Sequence, residues 1–147
     1  MPEAIGVMGI VCSEHSPLLG FVSAVMQALA MGNRVIAIPS ETSPLSATDL
    51  YQVLDTSDVP GGTLNIVTGK KDELATVLAN HDDVDGLWYF GTAEGSKSIE
   101  YAAAENMKRT WVNHGKHRNW FDLQQGEGEV FLRNATQIKN IWIPYGE

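Results

Sequence analysis

A single cysteine, Cys12, stands in the whole sequence. One thiol can close no internal disulfide and cannot supply a cysteine-rich zinc site. Basic residues are scarce: 10 Lys and Arg face 18 Asp and Glu, a formal net charge of −8. An acidic surface repels phosphate backbones at long range, which excludes nucleic acid and anionic membrane surfaces as expected partners. No basic segment followed by an apolar core opens the chain, so no signal peptide is expected and the location expected is cytoplasmic. Residues 15–33 carry no formal charge and approach membrane-span length, but Ser16, Pro17, Gly20, Ser23, Gln27, Gly32 and Asn33 interrupt them. Small residues alternate there with Leu18, Leu19, Phe21, Val22, Val25, Met26 and Leu29, the composition of a helix buried on most sides inside a protein. The G-x-G-x-x-G turn is absent as well. Gly6 and Gly9 fall before or inside the first strand, and the next loop is Ser13-Glu14-His15-Ser16-Pro17.

What is present is a regular alternation of short apolar runs and helical patterns. The 147 residues, 44% hydrophobic and 19% charged, suffice for one self-supporting core. Strands are predicted at Gly6–Cys12, Arg34–Ile38, Leu64–Val67, Val84–Phe90 and Lys108–Asn113. Helices are predicted from Pro17 to Gly32-Asn33, from Ser43-Pro44 with Leu45, Leu50, Val53 and Leu54 as the apolar stripe, and over Lys71–Asn80 and Ser96–Asn106. Five βα repeats in under 115 residues predict an α/β domain: a doubly wound parallel sheet of about five strands, with right-handed crossovers and ligands beyond the carboxyl ends of the strands. Residues 115–134 break the pattern and read as a surface loop that docks Trp120, Phe121, Val130, Phe131 and Leu132. Gln137–Ile143 reads as a last strand, closed by Pro144 and apolar on both sides, with Ile138 and Trp142 on one and Ile141 and Ile143 on the other.

The chemistry-bearing candidates are few. Gly91-Thr-Ala-Glu-Gly95-Ser-Lys97-Ser98 follows a strand and opens a helix, the place where backbone N–H groups hold a phosphate. It has Ser96 where a P-loop needs Gly before Lys, and reads as a tight turn with residual anion affinity. Cys12, Glu14 and His15 suggest a thiol and a base, but Cys12 ends a buried strand, where an inert packed thiol is the common case. His81, His114 and His117 lack a carboxylate at a defined spacing and make a weak metal signal. Lys70 and Lys71 read as a solvated helix face, and Trp88, Trp111, Trp120 and Trp142 as core and interface anchors. No catalytic set is complete.

Read together, these segments resemble the coenzyme-binding domain of the aldehyde dehydrogenases. The resemblance rests on Gly6–Val11, Pro17–Asn33, Pro39-Ser40-Glu41 with Pro44-Leu45-Ser46-Ala47, Pro60–Gly69, His81–Phe90 with Gly91, and the Lys108-Arg109 strand. It covers roughly residues 5–115 and implies a Rossmann-like fold. Thr136–Trp142 resembles the family's C-terminal oligomerisation strand. The implied division is a coenzyme-domain fold over 1–115, a surface connection over 116–135 in place of the catalytic domain, and a tail strand over 136–147.

The resemblance also implies losses. The family's nucleophilic Cys has no counterpart, since Cys12 is not at the corresponding place. The oxyanion Asn falls at His15, the ribose-holding Lys at Ile38, the second Gly of the coenzyme loop at Ser96 and the general-base Glu at Asn113. The pattern is similar to the truncated C-terminal module of the sixteenth aldehyde dehydrogenase family. It implies a non-catalytic module of an NAD(P)-dependent enzyme, serving structure and oligomerisation, with no cofactor expected. The alternative is a regulatory module with weak residual NAD(P) affinity through Ser40, Glu41, Gly91 and Glu94. A stand-alone enzyme using His15 or His114 is a third reading. The expected partner is a second copy or a catalytic aldehyde dehydrogenase module.

Overall fold

The computed structural model describes residues 1–146. The elements run β1 (Pro2–Ala4), β2 (Val7–Val11), α1 (Pro17–Ala30), β3 (Arg34–Ile38), α2 (Leu45–Asp55), β4 (Leu64–Ile66), α3 (Lys71–Asn80), β5 (Gly86–Tyr89), α4 (Ala93–Ala103), β6 (Arg109–Val112), α5 (Leu123–Gly126), α6 (Glu129–Asn134) and β7 (Thr136–Ile138). Five strands form a parallel sheet in the order β4-β3-β2-β5-β6. The chain winds outward from β2 through β3 to β4, then returns to the centre and winds the other way through β5 to β6. The order therefore switches between β2 and β5.

Period-two alternation sorts the strand side chains onto two faces. Met8, Ile10, Val35, Ala37, Trp88 and Phe90 enter one core with Phe21, Ala24, Val25 and Ala28 of α1 and with Ala47 and Leu54 of α2. Val11, Ile38, Leu87 and Tyr89 enter the other, with Ala75 and Leu78 of α3 and Ile99 of α4. The charge-free segment is thus the buried helix α1, which packs against α2, α5 and α6. Among the described residues no helix is long and apolar enough to cross a membrane. In α2 the apolar stripe is narrower than the sequence suggests: Leu54 is buried, but Leu45 and Val53 face solvent at 73% and 57% exposure. Ala47 lines the core instead, with Leu54.

Residues 115–134 are more ordered than a loop. They hold two short helices, and they cover the half of the sheet that α1 leaves bare. Trp120 and Phe131 are buried there against Phe90 and Trp111 in edge-to-face pairs, with ring centroids 5.2 Å apart for Trp120 and Phe90 and 5.1 Å for Phe131 and Trp111. The Arg118 guanidinium lies 5.0 Å from the Trp111 ring centroid and 5.3 Å from that of Phe131, and its Nη1 donates to the Gln125 carbonyl. Phe121, Val130 and Leu132 stay outside the core.

The last strand is shorter than its sequence pattern. Only Thr136–Ile138 pairs, and it pairs antiparallel with β1 in a separate two-stranded sheet. The N-terminal ammonium of Met1 donates to the Lys139 carbonyl and the Lys139 amide to that of Met1, which closes the ladder. The chain beyond it leaves the surface: Ile141, Trp142, Ile143 and Tyr145 are all exposed, Trp142 at 90%. Asn33 ties the two halves together. Its side chain donates to the carbonyls of Ala28 and Ala135 and accepts from the Gly6 amide.

The docked aromatics set a stability test. Trp120→Ala or Phe131→Ala removes a buried ring and is expected to cost about 3–5 kcal/mol in urea denaturation. Phe121→Ala, at 79% exposure, is expected to stay within about 0.5 kcal/mol of the parent chain.

Candidate functional site

Parallel strands deliver their following loops to one edge of the sheet, and the switch point leaves a crevice between them. Here the loops after β2, β3, β5 and β6, with the start of α3, enclose a cleft of about 480 Å³. Glu14, Glu41, Thr42 and Lys71 form one end of its lining; Gly91, Asn113, Lys116, His117 and Arg118 form the other, over a floor of Tyr89, Phe90 and Trp120.

The acidic end is organised around Glu14. Its Oε2 accepts from the Ser40 hydroxyl at 2.6 Å, the Thr42 hydroxyl at 3.0 Å and the Thr42 amide at 3.3 Å. Its Oε1 accepts from the Glu41 amide at 3.0 Å and from Lys71 Nζ at 3.3 Å. Partial burial opposes ionisation of this carboxyl, but the Ser40 hydroxyl, the Glu41 and Thr42 amides and the Lys71 ammonium outweigh it and hold Glu14 down at about 2. Lys71 is not the solvated side chain its sequence neighbourhood suggests. It is 6% exposed, and its ammonium also donates to the Phe90 carbonyl at 3.2 Å. Its partners are distant in sequence, and no local signal announces them.

The glycine turn differs from an open phosphate cradle. The Gly91 amide donates to Asn113 Oδ1 at 3.1 Å, the Gly95 amide to the Thr92 hydroxyl that caps α4, and the Ser96 amide to the Thr92 carbonyl. The Ser96 hydroxyl is buried, donates to the Thr92 carbonyl and accepts from the His114 amide. The Tyr89 ring lies against the turn and donates its hydroxyl to Asp72 at 2.8 Å.

Of the four residues assigned to residual coenzyme contact, Glu41 and Gly91 line the cleft. Ser40 is buried behind it against Glu14, and Glu94 is exposed on the first turn of α4, outside the lining. Glu41 also accepts from the Lys71 amide at the start of α3. Cys12 is fully buried, and burial pushes its thiol up to about 12, so it is no thiolate at neutral pH. His15 and His117 face each other across the mouth with ring centroids 5.3 Å apart. His114 lies 3.8 Å from Glu100 instead, and His81 accepts from the Asp83 amide. Among the described residues no three His, Cys, Asp or Glu side chains gather as a metal site. Glu14, Lys71, Tyr89 and Arg118 are the site residues that sequence reasoning missed or read as something else.

Because the folded value of Glu14 lies below its ordinary 4.5, its contribution to stability is complete above about pH 5 and is lost as the pH falls towards 2. The side chain is 36% exposed, so solvent screening reduces the effect to roughly 1–2 kcal/mol. The unfolding free energy of the parent chain, from urea denaturation, is expected to fall by that much more between pH 5 and 2.5 than that of Glu14→Gln.

The comparisons with known proteins agree with this architecture. The model of the aldehyde dehydrogenase family matches residues 1–127. The NADP/NAD-dependent aldehyde dehydrogenase PuuC of Escherichia coli is 39% identical over 114 residues, 77% of this chain and 23% of its own length. Aldehyde dehydrogenase 1A1 of Equus caballus is 33% identical over 136 residues, 92% of this chain and 27% of that protein. Among solved structures, aldehyde dehydrogenase C of Pseudomonas syringae, a variant complexed with NAD+ and octanal, superposes with a TM-score of 0.73 at 32% identity. It covers 76% of this chain, which spans 23% of that one. The chain therefore corresponds to about a quarter of the length of these relatives, and with a family match over residues 1–127 it belongs to the aldehyde dehydrogenase family.

Proposed function

We propose that this chain is a non-catalytic coenzyme-domain module of an NAD(P)-dependent aldehyde dehydrogenase, similar to the degenerate C-terminal module of the sixteenth family, and that it serves structure and association. The observation that carries this reading is the engagement of the glycine turn. The Gly91, Gly95 and Ser96 amides all have partners inside the chain, and the first is taken by Asn113, the position where the resemblance expects the general base. A dinucleotide held in the family's manner does not fit these residues. Ile38 offers no donor to a ribose, Ser40 and Glu41 are bonded to Glu14 and Lys71, and the side chain of Ser96 stands where a glycine is expected. His15 at the oxyanion position and a buried, protonated Cys12 leave acyl transfer without an activated nucleophile.

The regulatory alternative draws on one feature, the 480 Å³ cleft at the switch point with an aromatic floor and cationic side chains at one end. Coenzyme titration separates the two readings. Calorimetry with NAD+ or NADP+ is expected to show no binding tighter than roughly millimolar, about −4 kcal/mol. Aldehyde with either coenzyme is expected to give no absorbance gain at 340 nm above a buffer blank. A micromolar constant selects the regulatory module, and turnover abolished by Cys12→Ser refutes both.

Association is assigned to the tail. Ile141, Trp142, Ile143 and Tyr145 extend beyond β7 with their apolar surface exposed, and the five-stranded sheet ends in the edge strands β4 and β6. The reading has them cover a second copy or a catalytic module, with Trp142 as the aromatic anchor. Removing residues 140–147 leaves the β1–β7 pairing intact. Light scattering is expected to show a smaller assembly for that chain, with melting unchanged when both are measured as monomers. An unchanged mass refutes the assignment.

A further inference from the structure

We infer that Ser40, the amides of Glu41 and Thr42, the Thr42 hydroxyl and the Lys71 ammonium form a receptor for a small carboxylate, and that Glu14 is its self-supplied ligand. Five donors from two separate segments converge on two oxygens, two on one and three on the other. Consecutive backbone amides flanked by hydroxyls are the makings of an oxyanion nest, and a buried ammonium completes it. The donors do not depend on Glu14 for their positions. Ser40 Oγ also accepts from the Ser43 amide at 3.1 Å and lies 3.2 Å from Thr42 Oγ1. Lys71 is fixed at both ends, its amide by Glu41 Oε2 and its ammonium by the Phe90 carbonyl.

Glu14 enters from a different segment, the turn between β2 and α1, which supplies only its carboxylate to the receptor. That turn contains a non-glycine residue, Ser16, in the left-handed region at φ 55°. Truncating the side chain at Cβ therefore removes a ligand without removing its binding groups. It opens the nest to the cleft, which Glu14, Thr42 and Lys71 already line. An ammonium as buried as Lys71 demands a counter-charge, so the emptied nest binds one from solution. The neighbouring carboxylates of Glu41 and Asp72 on the same cleft wall favour a monoanion over a phosphate dianion. Formate is the smallest probe of this chemistry. The inference is independent of whether the chain binds coenzyme, which is tested separately.

The experiment compares the parent chain with Glu14→Ala in sodium formate and in sodium chloride at equal ionic strength. The parent is expected to melt at the same temperature in both salts. Glu14→Ala is expected to melt lower in chloride and to recover saturably with formate, as ligand linkage requires. In amide NMR the Glu41 and Thr42 signals are expected to shift along the same saturation curve. Adding Lys71→Met to Glu14→Ala is expected to weaken the formate response at least about tenfold. If Glu14→Ala is unfolded in chloride, formate is expected to restore folding. A folded Glu14→Ala that does not distinguish formate from chloride overturns the inference, as does an unfolded one that formate fails to restore. A formate response that survives loss of the Lys71 ammonium overturns it too.

Discussion

A parallel sheet has no wet face, and that constraint governs this chain. β2, β3, β5 and β6 carry apolar side chains on both sides, so two layers of cover are required, while the edge strand β4 turns Leu64 and Ile66 to one face and the exposed Asn65 to the other. On one face α3 and α4 supply the cover completely. On the other, α1 and α2 reach only across β2, β3 and β4. Trp88, Phe90 and Trp111 on β5 and β6 would otherwise face water, three large rings on adjacent strands. Residues 116–135 cover them, Trp120 from the turn before α5 and Phe131 from α6, a helix too short to be stable alone. The Arg118 cation closes the outer side of the same cluster over four rings, each centroid within 5.8 Å.

The same constraint explains which parts of the structure were legible in the sequence. Buried strands favour β-branched residues, and Arg34–Ile38 carries three of them, Val35, Ile36 and Ile38. The amphipathic helix over Lys71–Asn80 announces itself by period, and both elements occur at those bounds. The tight turn at Gly91 and the helix after it were visible too, although the helix begins three residues early because the Thr92 side chain caps it. Illegible elements are those whose cause lies far away in the chain. β1 is three residues with no pattern of its own, β7 keeps only the start of the run read over Gln137–Ile143, and the two pair across a separation of more than 130 positions. The helices α5 and α6, four and six residues long, are too short for their residue preferences to announce them, and docking holds them in helical form.

The site follows the same rule at the level of single side chains. Lys71 and Glu14 are separated by 57 positions, and each is locally unremarkable. A lysine at a helix start followed by Asp72 and Glu73 has the composition of a solvated turn. Only the parallel registers of β2 with β3 and of β3 with β4 bring the ends of those strands together and put the ammonium beside the carboxylate. Ser40 and Glu41 entered through the family resemblance and Gly91 through its place after a strand; Glu41 and Gly91 lie on the cleft wall and Ser40 behind it. What each of them touches was not legible in the sequence.

Glycine at the turn after β5 illustrates why residue type and role separate in such a chain. A Cβ at Gly91 would lie 2.5 Å from the Tyr89 ring, and one at Gly95 would collide with the Tyr89 hydroxyl. Tyr89 is held in that place by burial and by its bond to Asp72. Both glycines are therefore required by a neighbouring side chain, with no ligand in the argument. Their presence alone says nothing for phosphate binding. The substitutions around them fit the same packing: the Ser96 side chain joins Thr92 to His114, and the Asn113 side chain joins Gly91 to Lys116. The amides of Gly91, Gly95 and Ser96 and the Ser96 hydroxyl each have an internal partner, and those bonds contribute to the fold. Hydrogen-bond donors at a strand end serve either a bound molecule or the chain itself, and the amides of Gly91, Gly95 and Ser96 serve the chain.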